Sequence, residues 1–273
     1  MSTDPTGAAP LAEPDAHQPR APEAASAAII NPVREEWEEP VSPRVILTFT
    51  LPDYRFLCRL ANASGAPRYL WNCALQEGTW NGQAITLVAP AIGAPYAVAV
   101  LEKLIALGAA MVLALGWCGS LQTRAPIGAV ILPEAAVSGD GTSRYYFPAE
   151  DSHSPHPRLL AHLQQSLERA DLPFCRGRVW TTDAFYRETV DLVRGHQAQG
   201  ILGVEMELAA LFAVGRFRQV PVAGLLLVSD ELADLSWQPA YRSEALRQRF
   251  RQSRHQAARL TLTAAAEWGE AHV

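Results

Sequence analysis

The chain has 273 residues, 49% of them hydrophobic, which is enough for one sizeable core. Its formal net charge of −5 at pH 7 gives no field that would favour nucleic acid or an anionic membrane surface. Four scattered cysteines without a C-x-x-C pair, no run of roughly 18 apolar residues and an acidic N-terminus together predict a reduced, cytoplasmic protein that needs no membrane.

Residues 1–42 are dense in Ala, Pro and Glu, lack an apolar period and end in the acidic run Glu35-Glu36-Trp37-Glu38-Glu39-Pro40. Such a segment buries too little apolar surface to offset its ordering entropy, which predicts a disordered or extended tail before a domain spanning 43–273. From Arg44 onward, short apolar runs alternate with helical patterns. Val45–Thr50, Ile85–Pro90, Met111–Gly116, Ala129–Pro133, Arg178–Thr182, Ile201–Met206 and Val222–Asp230 read as strands buried on both faces. Pro95–Leu107, which opens on proline and stops at Gly108, reads as a helix, as do Glu207–Phe217 and Tyr241–Trp268. The predicted class is α/β, with one central sheet covered by helices. His153-Ser154-Pro155-His156 lies in a Ser/Pro-rich stretch without a third ligand and reads as a solvated loop, so no metal site is expected. The arginines at 242, 247, 249, 251, 254 and 259 read as a solvated or subunit-facing side of the last helix.

Three clusters at the ends of predicted strands carry chemistry, where open α/β sheets gather their ligands. In Gly203-Val204-Glu205-Met206-Glu207, two acids flank a methionine as strand gives way to helix. Carboxylates there either accept from vicinal ribose hydroxyls or simply complement the helix dipole. In Val228-Ser229-Asp230, an apolar strand ends in an acid. Burial would raise its proton affinity and suit a general acid, although an Asp in this place also serves as a helix cap. In Thr181-Thr182-Asp183-Ala184-Phe185-Tyr186, Phe185 either stacks on a heterocycle or belongs to the core.

Taken together with Ala91-Ile92-Gly93-Ala94-Pro95, Gly116-Trp117-Cys118-Gly119-Ser120-Leu121 and Ile127–Pro133, these clusters resemble the signature blocks of the nucleoside phosphorylase superfamily, in particular its purine branch. The resemblance runs from about Arg44 to about Ala265. Glu207 follows Phe185 by 22 positions and Asp230 follows Glu207 by 23, as in that branch. It implies a single-domain, three-layer fold with a mixed, partly barrel-like sheet flanked by helices. It implies cleavage of the N-glycosidic bond of a purine-type nucleoside, with no cofactor beyond phosphate as a co-substrate. Phe185 would stack on the base with Ser229 nearby. Met206 would pack on the ribose, Glu207 would hold its hydroxyls with help from Glu205, and Asp230 would protonate the base, supported by Arg242. The family also implies a homo-oligomer, dimer-based, trimeric or hexameric.

On the acceptor side this chain departs from the family. Leu51 stands where the family has glycine, Ala114 where it has arginine, and Trp117 where it has a small hydroxyl residue. Only Arg55 matches a phosphate ligand, Gly93 of the Ala91–Pro95 turn is assigned to the acceptor side, and Asp53 is the candidate carboxylate that would orient a water. Charge-assisted bonds worth about 1.5–3 kcal/mol each are lost, which disfavours phosphorolysis through the usual site and leaves water as the other acceptor. A nucleoside-binding protein without turnover, its acceptor side closed by Trp117, is the alternative on the same scaffold.

Overall fold

The computed structural model describes residues 28–269, so residues 1–27 of the expected tail lie outside the described residues. Residues 28–31 hold a hydrogen bond of their own, from Asn31 Nδ2 to the Ala28 carbonyl (3.0 Å). From Pro32 the chain forms one unit. Segment 33–42, grouped with the tail on composition, is tied to this unit. Lys103 Nζ donates to the Val33 carbonyl and to Glu38 Oε2, each at 2.6 Å, and the Val41 N–H donates to the Leu107 carbonyl. Local composition could not reveal this, because Lys103 and Leu107 lie some sixty residues or more downstream.

In chain order the elements are β1 (Arg44–Thr48), α1 (Leu51–Leu60), β2 (Arg68–Leu70), β3 (Cys73–Trp80), β4 (Gln83–Ala89), α2 (Ala94–Ala106), β5 (Met111–Ser120) and β6 (Val130–Gly139). Then come β7 (Ser152–His153), α3 (Pro157–Arg169), β8 (Phe174–Thr182), α4 (Val190–Ala198), β9 (Gly203–Glu205), α5 (Leu208–Arg218), β10 (Val222–Glu231), β11 (Gln238–Pro239) and α6 (Glu244–Glu267). Every apolar run expected to form a strand does so, within a few residues at its ends.

The strands make one mixed sheet. β1, β4, β5 and β10 run parallel, while β6 opposes β10 and β9 opposes β5. Because β5 pairs with β10 as well as with β9, the strands β5, β10, β6, β8 and β9 close into a five-stranded barrel-like ring. This matches the expected architecture. β5 and β10 carry near-continuous aliphatic runs because both of their faces are covered, and Val222–Val228 are buried throughout.

The helices obey local signals. Ser243 caps α6, its Oγ accepting from the Leu246 N–H (3.2 Å), so the predicted helix from Tyr241 splits into a single turn at Ala240–Arg242 and α6 proper. α5 departs from the amphipathic expectation: residues 208–215 are all buried, since it is sandwiched between α2 and the sheet. The His153–His156 stretch is not a solvated loop. His153 lies on β7, paired with β6 and buried, and His156 precedes α3.

Two local devices aim the site. β10 is in register with β5 up to Val228 and Cys118, then slips so that Asp230 stands opposite Gly119. The bulge at Ser229 turns the strand end toward the ring's mouth, a common use of bulges beside ligand sites. Gly119 has no room for a side chain: a Cβ there would lie 2.6 Å from Leu232 Cδ1 and 3.0 Å from Asp230 Oδ2.

Candidate active site

A cavity of about 550 Å³ opens where the end of β1, the ends of β5 and β10, and the turns after β8 and β9 meet. It brings together Phe185, Glu205, Met206, Glu207, Ser229, Asp230 and Trp117, residues singled out in sequence for the base, the sugar and the acceptor.

The sugar-side cluster is built by the turn between β9 and α5. Glu205 Oε2 accepts from the N–H groups of Glu207 (2.7 Å) and Leu208 (2.8 Å), and Oε1 accepts from the Thr181 hydroxyl. Its carboxylate therefore anchors the start of α5 to β8 and has little capacity left for a ligand. Glu205 thus has an architectural role beside the one expected of it toward ribose. Glu207 is free to do more. Its Oε1 accepts from the Gly93 N–H (2.6 Å), where Gly93 holds φ +83° ahead of α2, and its Oε2 from the Met206 N–H (3.3 Å). Burial pushes both carboxyls above the usual range, and the charge of Glu205 pushes Glu207 further. Hydroxyl donors from a ligand would relieve that desolvation.

At the other end, Asp230 Oδ1 accepts from Ser229 Oγ (2.6 Å) and Oδ2 from Trp237 Nε1 (3.0 Å). Arg242 does not reach Asp230 as expected. It donates to Gln238 Oε1 (3.2 Å) and faces the Trp237 ring, so the indole takes the place foreseen for the guanidinium. Phe185 is half-exposed, with its ring 4.0 Å from that of Tyr186, and forms an open aromatic wall. Cys118 lies on the floor, where burial and the charges of Asp230 and Glu205 hold its thiol well above its usual value. A thiolate nucleophile is not available there.

The acceptor side differs most from expectation. Asp53 is buried and does not line the cavity. Its Oδ1 accepts from Arg254 Nε (2.8 Å) and Nη2 (2.7 Å), and its Oδ2 from Thr50 Oγ1 (2.7 Å). Arg55 points to solvent from α1, and Gly93 contributes only its N–H to Glu207. Trp117 does line the cavity, wedged edge-on against Phe250 with the Arg254 guanidinium 5.2 Å from its ring. No Lys, Arg or His among the described residues lines this cavity, whereas Glu188, Glu205, Glu207 and Asp230 all do.

A second cavity of about 550 Å³ shares Trp117, Ser229, Asp230 and Trp237 with the first and is bordered by Arg247, Arg251 and Arg254 of α6. These arginines, expected on a solvated or subunit-facing surface, therefore stand behind the base end of the site. Arg247 pairs with Glu244 (2.7 Å) and Arg254 with Asp53. Sequence reasoning also missed Glu188 and Trp237. Glu188 lies three positions past Phe185 and was open to discovery by following that turn further. Trp237 sits in a connection without a pattern of its own.

Comparison with known proteins agrees with this geometry. Residues 43–266 match the family model described as the phosphorylase superfamily. A guanosine phosphorylase of Halorubrum lacusprofundi is 27% identical over 188 residues, covering 69% of this chain and 78% of that one. A purine nucleoside phosphorylase of Brevibacillus brevis is 27% identical over 157 residues, covering 57% of this chain and 67% of its own. The crystal structure of a uridine phosphorylase from Vibrio fischeri superposes with a TM-score of 0.76 at 27% identity, covering 83% of this chain and 93% of that one.

Proposed function

Because this chain belongs to the phosphorylase superfamily, we propose that its cavity cleaves the N-glycosidic bond of a purine-type nucleoside and uses water as the acceptor. Phe185 provides a face for the base, Met206 packs on the sugar, and Glu207 accepts from the ribose hydroxyls. A carboxyl at the Ser229–Asp230 end supplies the proton that lets the base depart. The match to a guanosine and a purine nucleoside phosphorylase, together with the acid on β10, supports a purine over a pyrimidine.

One observation carries the choice of acceptor: among the described residues, four carboxyls and no cationic side chain line the cavity. A phosphate dianion entering it would lack the guanidinium donors that normally hold it. The nearby arginines lie beyond Trp117, and each is already paired, Arg247 and Arg251 with Glu244 and Arg254 with Asp53. Water carries no charge to be neutralised and accepts readily from, or donates to, the acids present.

Product analysis tests this reading. With inosine or guanosine in phosphate-containing buffer, base and free ribose are expected in equal amounts. Ribose 1-phosphate as the main product would overturn the acceptor assignment while leaving the glycosidic reading intact. Faster cleavage of uridine than of any purine nucleoside would overturn the base assignment.

A further inference from the structure

Asp230 is not the only carboxyl at the base end of the cavity. Glu188 arrives from the β8–α4 connection, just after the single turn Phe185–Arg187 that carries the aromatic wall, and lines the same cavity. The two acids are bonded very differently. Both oxygens of Asp230 already accept hydrogen bonds, from Ser229 and from Trp237. Those two donors hold the Asp230 carboxylate in a fixed orientation. The Glu188 carboxyl is partly buried and has no hydrogen bond or ion pair with any described residue. Burial and the charge of Asp230 push it up to about 7. Of the two carboxyls, Glu188 is therefore the one free of partners among the described residues and able to turn its oxygen toward a ligand.

We propose that Glu188 is the proton donor to the leaving base, with Asp230 held beside it by Ser229 and Trp237. The inference rests on the N-glycosidic reading above. As the C1′–N bond breaks, its electron pair passes to the base, which takes the Glu188 proton and leaves neutral. Water adds to C1′, and the proton it releases restores the Glu188 carboxyl. The other titratable groups around Glu188 are Glu205 and Glu207 from the β9–α5 turn, Cys118 from β5, and Tyr186 and Arg187 on its own turn. Cys118 is held neutral by burial, and Arg187 is exposed.

The test compares wild type, Glu188→Gln and Asp230→Asn on inosine and on 7-methylguanosine, whose ring already carries the charge that protonation would supply. All three proteins are assayed without phosphate across pH, with melting temperature as a check on folding. Glu188→Gln is expected to lower kcat on inosine by about 10²–10⁴-fold, to affect 7-methylguanosine only several-fold, and to abolish the fall in inosine kcat/KM on the alkaline side. Asp230→Asn is expected to move that alkaline limb to lower pH, because the charge holding the Glu188 proton is gone. Undiminished inosine turnover in a folded Glu188→Gln protein would overturn the assignment, and so would equal loss on both substrates. If wild type cleaves neither nucleoside, the glycosidic reading itself falls, a result distinct from a wild type that cleaves both and a variant that matches it.

Discussion

In the proposed reaction, Glu207 would meet the sugar with a carboxylate that is desolvated and supplied with two backbone N–H donors, at 2.6 and 3.3 Å. It therefore gains more from a pair of ribose hydroxyls than an exposed acid would, by about 1.5–3 kcal/mol for bonds to a charged group. Glu207→Gln is expected to weaken nucleoside binding about ten- to hundredfold, seen mainly in KM. Since the accepting form is the anion and burial raises its proton affinity, binding should strengthen as pH rises through that raised value. Calorimetric affinities that stay flat with pH would contradict this. Gly119 is the second decisive residue. Gly119→Ala places a Cβ against Leu232 and the Asp230 carboxylate, and overpacking of this kind destabilises by about 1–3 kcal/mol. The variant should melt lower and lose turnover more than affinity for the sugar.

At the level of elements, α5 begins on the carboxylate of Glu205 instead of on a Ser, Thr or Asn cap. Glu205→Gln keeps one oxygen for the two N–H groups but sets its NH2 against the Thr181 hydroxyl, and taking the acceptor from that buried donor costs about 1–3 kcal/mol. A lower melting temperature without a matching loss in the pH response of catalysis is the expected outcome; an unchanged melt would show that the turn holds without it. The long strands and α2 were legible in sequence because each is a continuous aliphatic run or a proline-led helical period. The pattern of α1, α3, α4 and β3 is mixed, and that of the short strands β2, β7 and β11 is too brief, so sequence alone does not mark them. Phe185, Met206, Glu207, Ser229 and Asp230 do converge on the cavity, because each sits at the end of a strand the sequence marked. What sequence could not supply were the long-range pairings. Arg254 reaches back 201 positions to Asp53 and closes the acceptor side; Trp237 displaces Arg242 at Asp230.

The molecule as a whole concentrates uncompensated acids in one place. Glu188, Glu205 and Glu207 all hold protons more tightly in the fold than in the unfolded chain. A carboxyl raised in this way contributes stability below its unfolded value, 4.5, and that contribution is lost as pH rises through the higher native value. The unliganded protein should therefore melt several degrees higher near pH 5 than near about pH 8.5, and a bound nucleoside should narrow the gap by supplying donors. Melts in which stability instead rises across that window would show that these carboxyls are not desolvated as described. Among the described residues no helix is long and apolar enough to cross a membrane. The most direct measurement is base release from adenosine, inosine, guanosine and uridine in phosphate-free buffer, followed by a phosphate titration. Release from purine nucleosides at a rate indifferent to phosphate is the predicted result. Strict dependence on phosphate, or saturable nucleoside binding with no release at all, would contradict it.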